Sequence, residues 1–150
     1  MLLILSTLAL LAFSAEFRWD MPAQSSKVPD TKDQGDCAGA GWAFAVTTTI
    51  ESNYLIKYGR AIQQSEEELL NCIDNSCCTG KVPLAEAFTY VKAKNGLASR
   101  LSIGYDNNPS TDACPRIKRR QGNIKSFRHI KAGFKNPTHE QNNTALVTAI

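Results

Sequence analysis

The chain has 150 residues, of which 43% are hydrophobic and 21% charged. This is one domain's worth of sequence, and the composition excludes a disordered or wholly membrane-embedded protein. The formal net charge of +3 is too small to indicate a nucleic-acid-binding protein by itself. The charge is uneven, because residues 116–139 hold 8 basic groups and no acidic group, whereas residues 1–115 hold 9 basic and 13 acidic groups.

The amino-terminal segment predicts secretion. Residues 2–13 form a largely apolar run of twelve residues, which is shorter than the roughly 20 residues that a transmembrane helix needs. Small residues at Ala12 and Ser14 suit cleavage near Ser14 or Ala15. A buried amino-terminal helix is the alternative, but the run ends abruptly in a polar segment. We therefore expect residues 1–15 to be a signal peptide, no membrane span elsewhere, and a secreted protein that is extracellular or lysosomal.

Two helices are predicted before residue 75, after an extended loop over residues 20–36. Residues 42–58 place apolar side chains at near-helical spacing on a broad face, and Gly59 follows them, which indicates a buried central helix. A capping box predicts the start of the second helix. In it, the Ser65 side chain would accept from the Glu68 N–H, and the Glu68 side chain from the Ser65 N–H.

The remaining elements are predicted from weaker signals. A third helix should begin after Pro83 and end at Asn95-Gly96. The pattern becomes strand-like around residues 124–130, and a last helix opens at Thr138 and runs to the end of the sequence. That helix has no partner element within the chain. We therefore expect the sequence to be part of a longer fold, and residues 15–150 to fold poorly alone.

Three motifs carry a resemblance to a known family. Residues 34–44, QGDCAGAGWAF, resemble the Gln-Gly-x-Cys-Gly-Ser-Cys-Trp-Ala-Phe motif of the papain-like cysteine proteases. Residues 65–72, SEEELLNC, resemble Ser-Glu-Gln-Glu-Leu-Leu-Asp-Cys, and residues 78–83, CTGKVP, resemble Cys-Asn-Gly-Gly-x-Pro. The resemblance implies an α+β papain-like cysteine proteinase fold, with the helical amino-terminal half complete and the β-barrel half only begun. Residues 16–150 would be a partial peptidase domain.

The resemblance also places the catalytic set and shows what it lacks. The family's nucleophilic cysteine immediately precedes the tryptophan, but here Gly41 does, and the preceding segment is one residue longer. The family's histidine and asparagine lie about 130–150 residues beyond the nucleophile, whereas 109 residues follow Gly41. His129 and His139 are interpreted as surface histidines. Only Gln34 remains, as an oxyanion donor by resemblance, together with the backbone N–H of residue 41.

The substrate groove would be altered as well. In the family the second glycine of the Cys-Asn-Gly-Gly motif contacts the substrate backbone; here Gly80 is kept but Lys81 takes the second position. The resemblance implies no cofactor and no metal. The partners that it suggests are a peptide or a protease-inhibitor protein, without nucleic acid.

The family's disulfides would be Cys37–Cys78 and Cys72–Cys114, which leaves Cys77 as a free thiol. Cys77 could instead replace Cys78 in the first bridge, and the sequence leaves this open. A zinc site is the rival interpretation, but the cysteines lack paired C-x-x-C spacing and no histidine is near.

Two further features have a functional and a neutral interpretation. The basic run over residues 116–135 could contact a polyanion such as an acidic glycan, but a solvated loop and strand edge is the favoured interpretation. Asn142 begins a strict N-glycosylation sequon.

Two functions remain. The first is a secreted, catalytically inactive papain-like homologue that binds a peptide or an inhibitor. The alternative is a cysteine endopeptidase, acting in proteolysis, of which this chain is a truncated or wrongly delimited piece.

Overall fold

The computed structural model describes residues 27–73, 82–106 and 113–128. The predicted signal peptide and the helix predicted at Thr138 lie outside these ranges. The described chain folds into a short 3-10 helix followed by three α-helices. Their bounds are Ala38–Ala40 for the 3-10 helix, Gly41–Tyr58 for α1, Glu66–Ile73 for α2 and Leu84–Ala93 for α3.

Helix α1 confirms the prediction of a helix over residues 42–58. It ends where Gly59 adopts a left-handed conformation (φ +63°) and donates its N–H to the Leu55 carbonyl at 2.8 Å. Glycine adopts this conformation without the steric cost that a Cβ would add.

The burial of α1 differs from the broad apolar face that was predicted. The helix buries Ala43, Val46 and Ile50 together with the polar residues Thr47 and Glu51. The last turn is exposed, and Tyr58 keeps 57% of its surface accessible. The helix is therefore central over its first three turns and projects at its carboxyl end.

Only half of the capping box predicted at the start of α2 is present. The Ser65 hydroxyl accepts from the Glu68 N–H at 3.1 Å, as predicted. The reciprocal bond was wrong: the Ser65 N–H donates to the Ala98 carbonyl at 3.0 Å, and the Glu68 carboxylate accepts the Ala98 N–H at 2.6 Å. The segment around Ala98 lies beside the start of α2 and supplies both partners.

Helix α3 follows Pro83 and confirms the third predicted helix. The turn after it places Asn95 at φ +58° and Gly96 at φ +109°, and the Gly96 N–H donates to the Val91 carbonyl at 2.9 Å. The next residue, Leu97, pairs with Gln121 through two backbone hydrogen bonds of 2.9 and 2.8 Å. This turn therefore connects α3 to the carboxyl-terminal described segment.

One core joins the three helices. It contains Val46 and Ile50 of α1, Leu69 of α2, and Phe88 and Val91 of α3. All of these side chains are at least 98% buried, which is the burial that stabilises a small domain.

The strand predicted over residues 124–130 was wrong for its described part, residues 124–128, which contain no strand. Ile124 is buried in the helical core, and the Phe127 ring stacks on Phe88 with centroids 5.5 Å apart. These side chains are three residues apart, whereas a strand places same-face side chains two apart. Within the described chain, β pairing is limited to two isolated antiparallel bridges, Gln64 with Ser99 and Leu97 with Gln121.

A disulfide ties the end of α2 to the carboxyl-terminal described segment. It joins Cys72 to Cys114, the pair that the resemblance implies, with Cα atoms 4.6 Å apart. Cys37 is also disulfide-bonded. Cys77 and Cys78 lie outside the described residues, so the pairing of Cys37 with Cys78 stays a prediction.

Candidate functional site

The structure brings together Gln34 and Gly41. Gly41 is the first residue of α1, has right-handed helical dihedral angles (φ −51°, ψ −34°), and is exposed. A Cβ built on Gly41 would lie 3.6 Å from the Gln34 side-chain oxygen, an ordinary contact distance. The position could therefore carry a side chain directed toward Gln34. Its helical backbone conformation does not require a glycine.

The extra residue before Trp42 is absorbed by the 3-10 helix. The Ala40 N–H donates to the Cys37 carbonyl at 3.0 Å, and Ala40 already has right-handed helical angles, so the chain passes directly into α1. Cys37 itself is buried and disulfide-bonded. It therefore offers no thiolate to the site.

The Gln34 side chain is held within its own loop. Its Nε2 lies 3.4 Å from the Cys37 carbonyl and 3.5 Å from the Ala38 carbonyl, both long for hydrogen bonds. The Tyr105 hydroxyl donates to the Gln34 backbone carbonyl at 2.6 Å, and its ring packs edge-on against Phe44. Burial, with smaller effects from nearby carboxylates, raises the pKa of Tyr105 to about 12, so this donor keeps its proton at neutral pH.

A buried ionic cluster, consisting of Lys32, Glu51 and Glu66, anchors this loop. The Lys32 ammonium lies 2.7 Å from a Glu51 oxygen and 2.5 Å from a Glu66 oxygen. The two carboxylates are at most 1% exposed and the lysine side chain 9%. Thr47 donates to Glu66 at 2.9 Å, and the Gln64 N–H donates to Glu51 at 2.6 Å. Because Lys32 precedes Gln34 by two residues, the cluster fixes the loop against α1 and α2.

Glu68 is a separate buried carboxylate with its own partners. It accepts from the Ala98 N–H, from the Tyr90 hydroxyl at 3.1 Å, and from Arg120, with which it also forms an ion pair. Burial raises the pKa of Glu68 above its ordinary value of 4.5, and these hydrogen bonds and the Arg120 charge oppose that shift.

This shift gives a prediction of pH-dependent stability. A carboxyl group whose folded pKa is raised contributes stability below its unfolded pKa and loses it as the pH rises through the folded value. The stability of the wild-type chain relative to Glu68→Gln should therefore fall as the pH rises above the ordinary carboxyl pKa of 4.5. Urea unfolding across that range measures the difference. The exposed Glu86→Gln variant is the control and should track the wild type; a wild-type advantage over Glu68→Gln that grows with pH would contradict the prediction.

The ionic cluster was not predicted from the sequence. Its signal was the position of Glu51, which falls on the same helical face as Val46 and Ile50, where a charged residue needs a buried partner. Nothing in the sequence indicated that Lys32 supplies the charge, since Lys32 lies 19 residues from Glu51 and 34 from Glu66.

Several predicted site residues fall outside the described ranges. These are Gly80 and Lys81 of the predicted groove, Cys77, Cys78 and Asn142. Within residues 27–73, 82–106 and 113–128, no group of three His, Cys, Asp or Glu side chains could hold a metal ion. None of the helices in these ranges is long and apolar enough to cross a membrane.

Comparison with known proteins identifies the family. Residues 15–150 match the profile of the family described as papain family cysteine protease. The chain is 34% identical over 87 residues to the thiol protease aleurain of Arabidopsis thaliana, covering 56% of this chain and 24% of that protein. It is 37% identical over 81 residues to the pro-cathepsin H of Medicago truncatula, covering 52% and 23%. The chain thus spans about a quarter of the length of these curated relatives.

A solved structure shares the fold. The digestive procathepsin L 3 of Tenebrio molitor superimposes with a TM-score of 0.60 at 25% identity, over 74% of this chain and 36% of that one. The described helices therefore correspond to the helical half of the α+β papain-like fold. With its profile match over nearly the whole length, this chain belongs to the papain family of cysteine proteases.

Proposed function

We propose that the chain is a papain-family homologue that does not hydrolyse peptide bonds and instead binds a peptide or a protease-inhibitor protein at the start of α1, around Gln34 and Gly41. The observation that carries this proposal is Gly41 at the first position of α1. A cysteine there would have its thiolate stabilised by the positive end of the helix dipole. Glycine keeps that geometry but supplies no nucleophile.

The remaining groups suit binding better than catalysis. The backbone N–H of residue 41 would donate to a peptide carbonyl oxygen, and the Gln34 amide would do so by exchanging its two long contacts with the Cys37 and Ala38 carbonyls. In the family's chemistry those donors stabilise the oxyanion that forms after nucleophilic attack. Without attack no oxyanion forms, so donation to a neutral carbonyl contributes affinity alone. Lys81, in the position that resembles the family's substrate-contacting glycine, adds a positive charge to this proposed groove.

We also assign the chain to the secretory route. Residues 1–15 would be a signal peptide and residues 16–150 a partial peptidase-like domain, in an extracellular or lysosomal protein. The apolar run over residues 2–13 supports this. The Cys72–Cys114 bridge supports it as well, because disulfides persist in oxidising compartments.

A second candidate is a cysteine-type endopeptidase of which this chain is a part. The family match over residues 15–150 favours it, and so does the room for a side chain at Gly41. Of the two candidates, only the second requires thiol-dependent hydrolysis, by the longer protein to which the chain would belong.

We expect the purified chain to show no hydrolysis of a fluorogenic dipeptidyl amide above buffer, with or without iodoacetamide. In the same preparation, an immobilised protein inhibitor of papain should bind the chain. Gly41→Trp should weaken this binding by at least about tenfold, because the indole would cover the surface beside Gln34. Ala45→Trp, exposed one turn further along α1, is the matched control. Hydrolysis that iodoacetamide abolishes would overturn the proposal, and so would equal binding by both tryptophan variants.

A cysteine variant tests whether Gly41 occupies the nucleophile's position. In Gly41→Cys, the new thiol should react with iodoacetamide at neutral pH about fivefold faster than in Ala45→Cys, because the dipole effect is confined to the first helical turn. Mass spectrometry of the alkylated peptides gives both rates. Equal rates would show that the start of α1 does not activate a thiol at residue 41.

A further inference from the structure

An open cavity of about 310 Å³ lies at the carboxyl end of α1, against the segment that contains Lys125. The last turns of α1 form one wall, with Tyr54, Lys57 and Tyr58. Helix α1 has 18 residues and rises about 1.5 Å per residue, so this cavity and Gly41 lie at opposite ends of the same helix. The cavity is therefore separate from the proposed peptide groove.

The cavity is basic. Lys57 and Lys125 reach it from parts of the chain that are far apart in sequence, and both are exposed. Neither forms an ion pair with a described residue, and no carboxylate of the described ranges lines the cavity. Arg120 also lines it, but its guanidinium is paired with Glu68. Two unneutralised ammonium groups beside one hollow attract an anion.

The aromatic wall is held in place. The Tyr54 and Tyr58 rings contact each other with centroids 4.5 Å apart. Arg60 donates to the Tyr54 hydroxyl at 2.6 Å and lies over its ring, and the Lys57 ammonium lies 5.4 Å from the Tyr58 centroid. Such contacts fix the ring orientations. Tyr58 still exposes more than half of its surface to a ligand.

Amide side chains complete the cavity. Asn95 and Asn123 both line it and are exposed, and neither side chain forms a hydrogen bond with a described residue. Ammonium groups can bind a sulfate or carboxylate, amides can bind hydroxyl groups, and a ring face can cover the apolar face of a sugar. We infer that this cavity binds an acidic saccharide, a sulfated or uronic-acid unit of a glycan. Its volume is at the lower end of the range of small-ligand pockets, about 300–1,000 Å³.

This inference revises the interpretation of the basic run. A solvated loop accounts for exposed lysines within residues 116–128, but it does not account for Lys125 lining the same cavity as Lys57 and two tyrosines of α1. The same run offers a matched comparison. Lys118 and Arg119 carry equal charge and line a different hollow, which no tyrosine lines.

The test is calorimetric titration of the full oxidised chain with a heparin-derived hexasaccharide at low salt. The Lys57→Gln/Lys125→Gln variant should weaken binding by at least about tenfold. The Lys118→Gln/Arg119→Gln variant, which loses the same charge, should change the Kd by less than about twofold. Tyr58→Ala should weaken binding about fivefold, since it removes an exposed ring and no core contact.

Three results would overturn the inference. Equal weakening in both double variants would mean attraction by net charge alone. Binding of a polyglutamate peptide of equal charge with the same sensitivity to Lys57 and Lys125 would mean an acidic-peptide site. Absence of hexasaccharide binding up to about 1 mM would mean that the cavity has no useful affinity for this class.

Discussion

Replacement of Lys32 by methionine is expected to lower the free energy of unfolding by about 3–5 kcal/mol. The ammonium lies 2.7 and 2.5 Å from carboxylates of Glu51 and Glu66 that are almost fully buried. Its removal leaves Glu51 with the Gln64 N–H and Glu66 with the Thr47 hydroxyl and Arg100, whose guanidinium is 3.8 Å away. An uncompensated buried charge costs more than the lost contact itself. Guanidinium denaturation of the oxidised chain, followed by far-UV circular dichroism, measures the loss.

Two variants separate charge from packing in this prediction. Lys118→Met removes an exposed lysine that has no ion pair with a described residue, and it should change the stability by less than about 0.5 kcal/mol. Adding Glu66→Gln to Lys32→Met should recover part of the lost stability, because it removes one of the two buried carboxylates that no longer face the Lys32 ammonium. If Lys32→Met is as stable as Lys118→Met, the cluster does not hold the loop.

The cluster also connects stability to the proposed site. Lys32 and Gln34 belong to one loop, which also contacts the rest of the chain through the Tyr105 hydroxyl on the Gln34 carbonyl. Loss of Lys32 should therefore loosen the loop that carries the Gln34 amide.

The helices could be predicted because their signals are local. Gly59 and the Asn95-Gly96 pair end α1 and α3 through their own backbone conformation, and the Ser65 hydroxyl caps α2 through a bond within the same turn. The reciprocal capping bond was predicted wrongly because it depends on a distant part of the chain. The Glu68 carboxylate accepts the buried Ala98 N–H instead of the Ser65 N–H, and Ala98 lies 30 residues away in the sequence. No local sequence pattern contains that information.

The proximity of Gln34 to Gly41 was predictable for a different reason. The order of the family motifs predicts that Gln34 lies beside Gly41. In the structure, a Cβ on residue 41 would lie 3.6 Å from the Gln34 side-chain oxygen. The motifs did not reveal how the additional residue is accommodated, because a 3-10 helix leading into an α-helix depends on backbone hydrogen bonds rather than side-chain type. They also gave no sign of the cavity beside Tyr58, which forms only when the residue 120–125 segment packs against α1.

The second large effect is expected at Gly96, where alanine should destabilise the chain by about 3 kcal/mol or more. Gly96 is buried at φ +109°. A Cβ there would overlap the Gln121 carbonyl oxygen and lie 2.8 Å from its carbon and 3.3 Å from the Asn123 nitrogen. These are backbone atoms, which cannot rotate away as a side chain can. Thermal and guanidinium unfolding of Gly96→Ala measure the loss.

Gly59→Ala separates the steric effect from the conformational one. Gly59 also has a left-handed conformation (φ +63°), but a Cβ there would meet no atom within 4 Å, so alanine should cost only about 1 kcal/mol. The additional loss of stability in Gly96→Ala over that in Gly59→Ala therefore measures how closely the turn after α3 packs on Gln121. Because Gln121 and Asn123 line the basic cavity, displacement of this segment should also weaken hexasaccharide binding in Gly96→Ala and leave it unchanged in Gly59→Ala. Equal stability of the two variants would mean that the Leu97–Gln121 pairing does not hold the segment against α1.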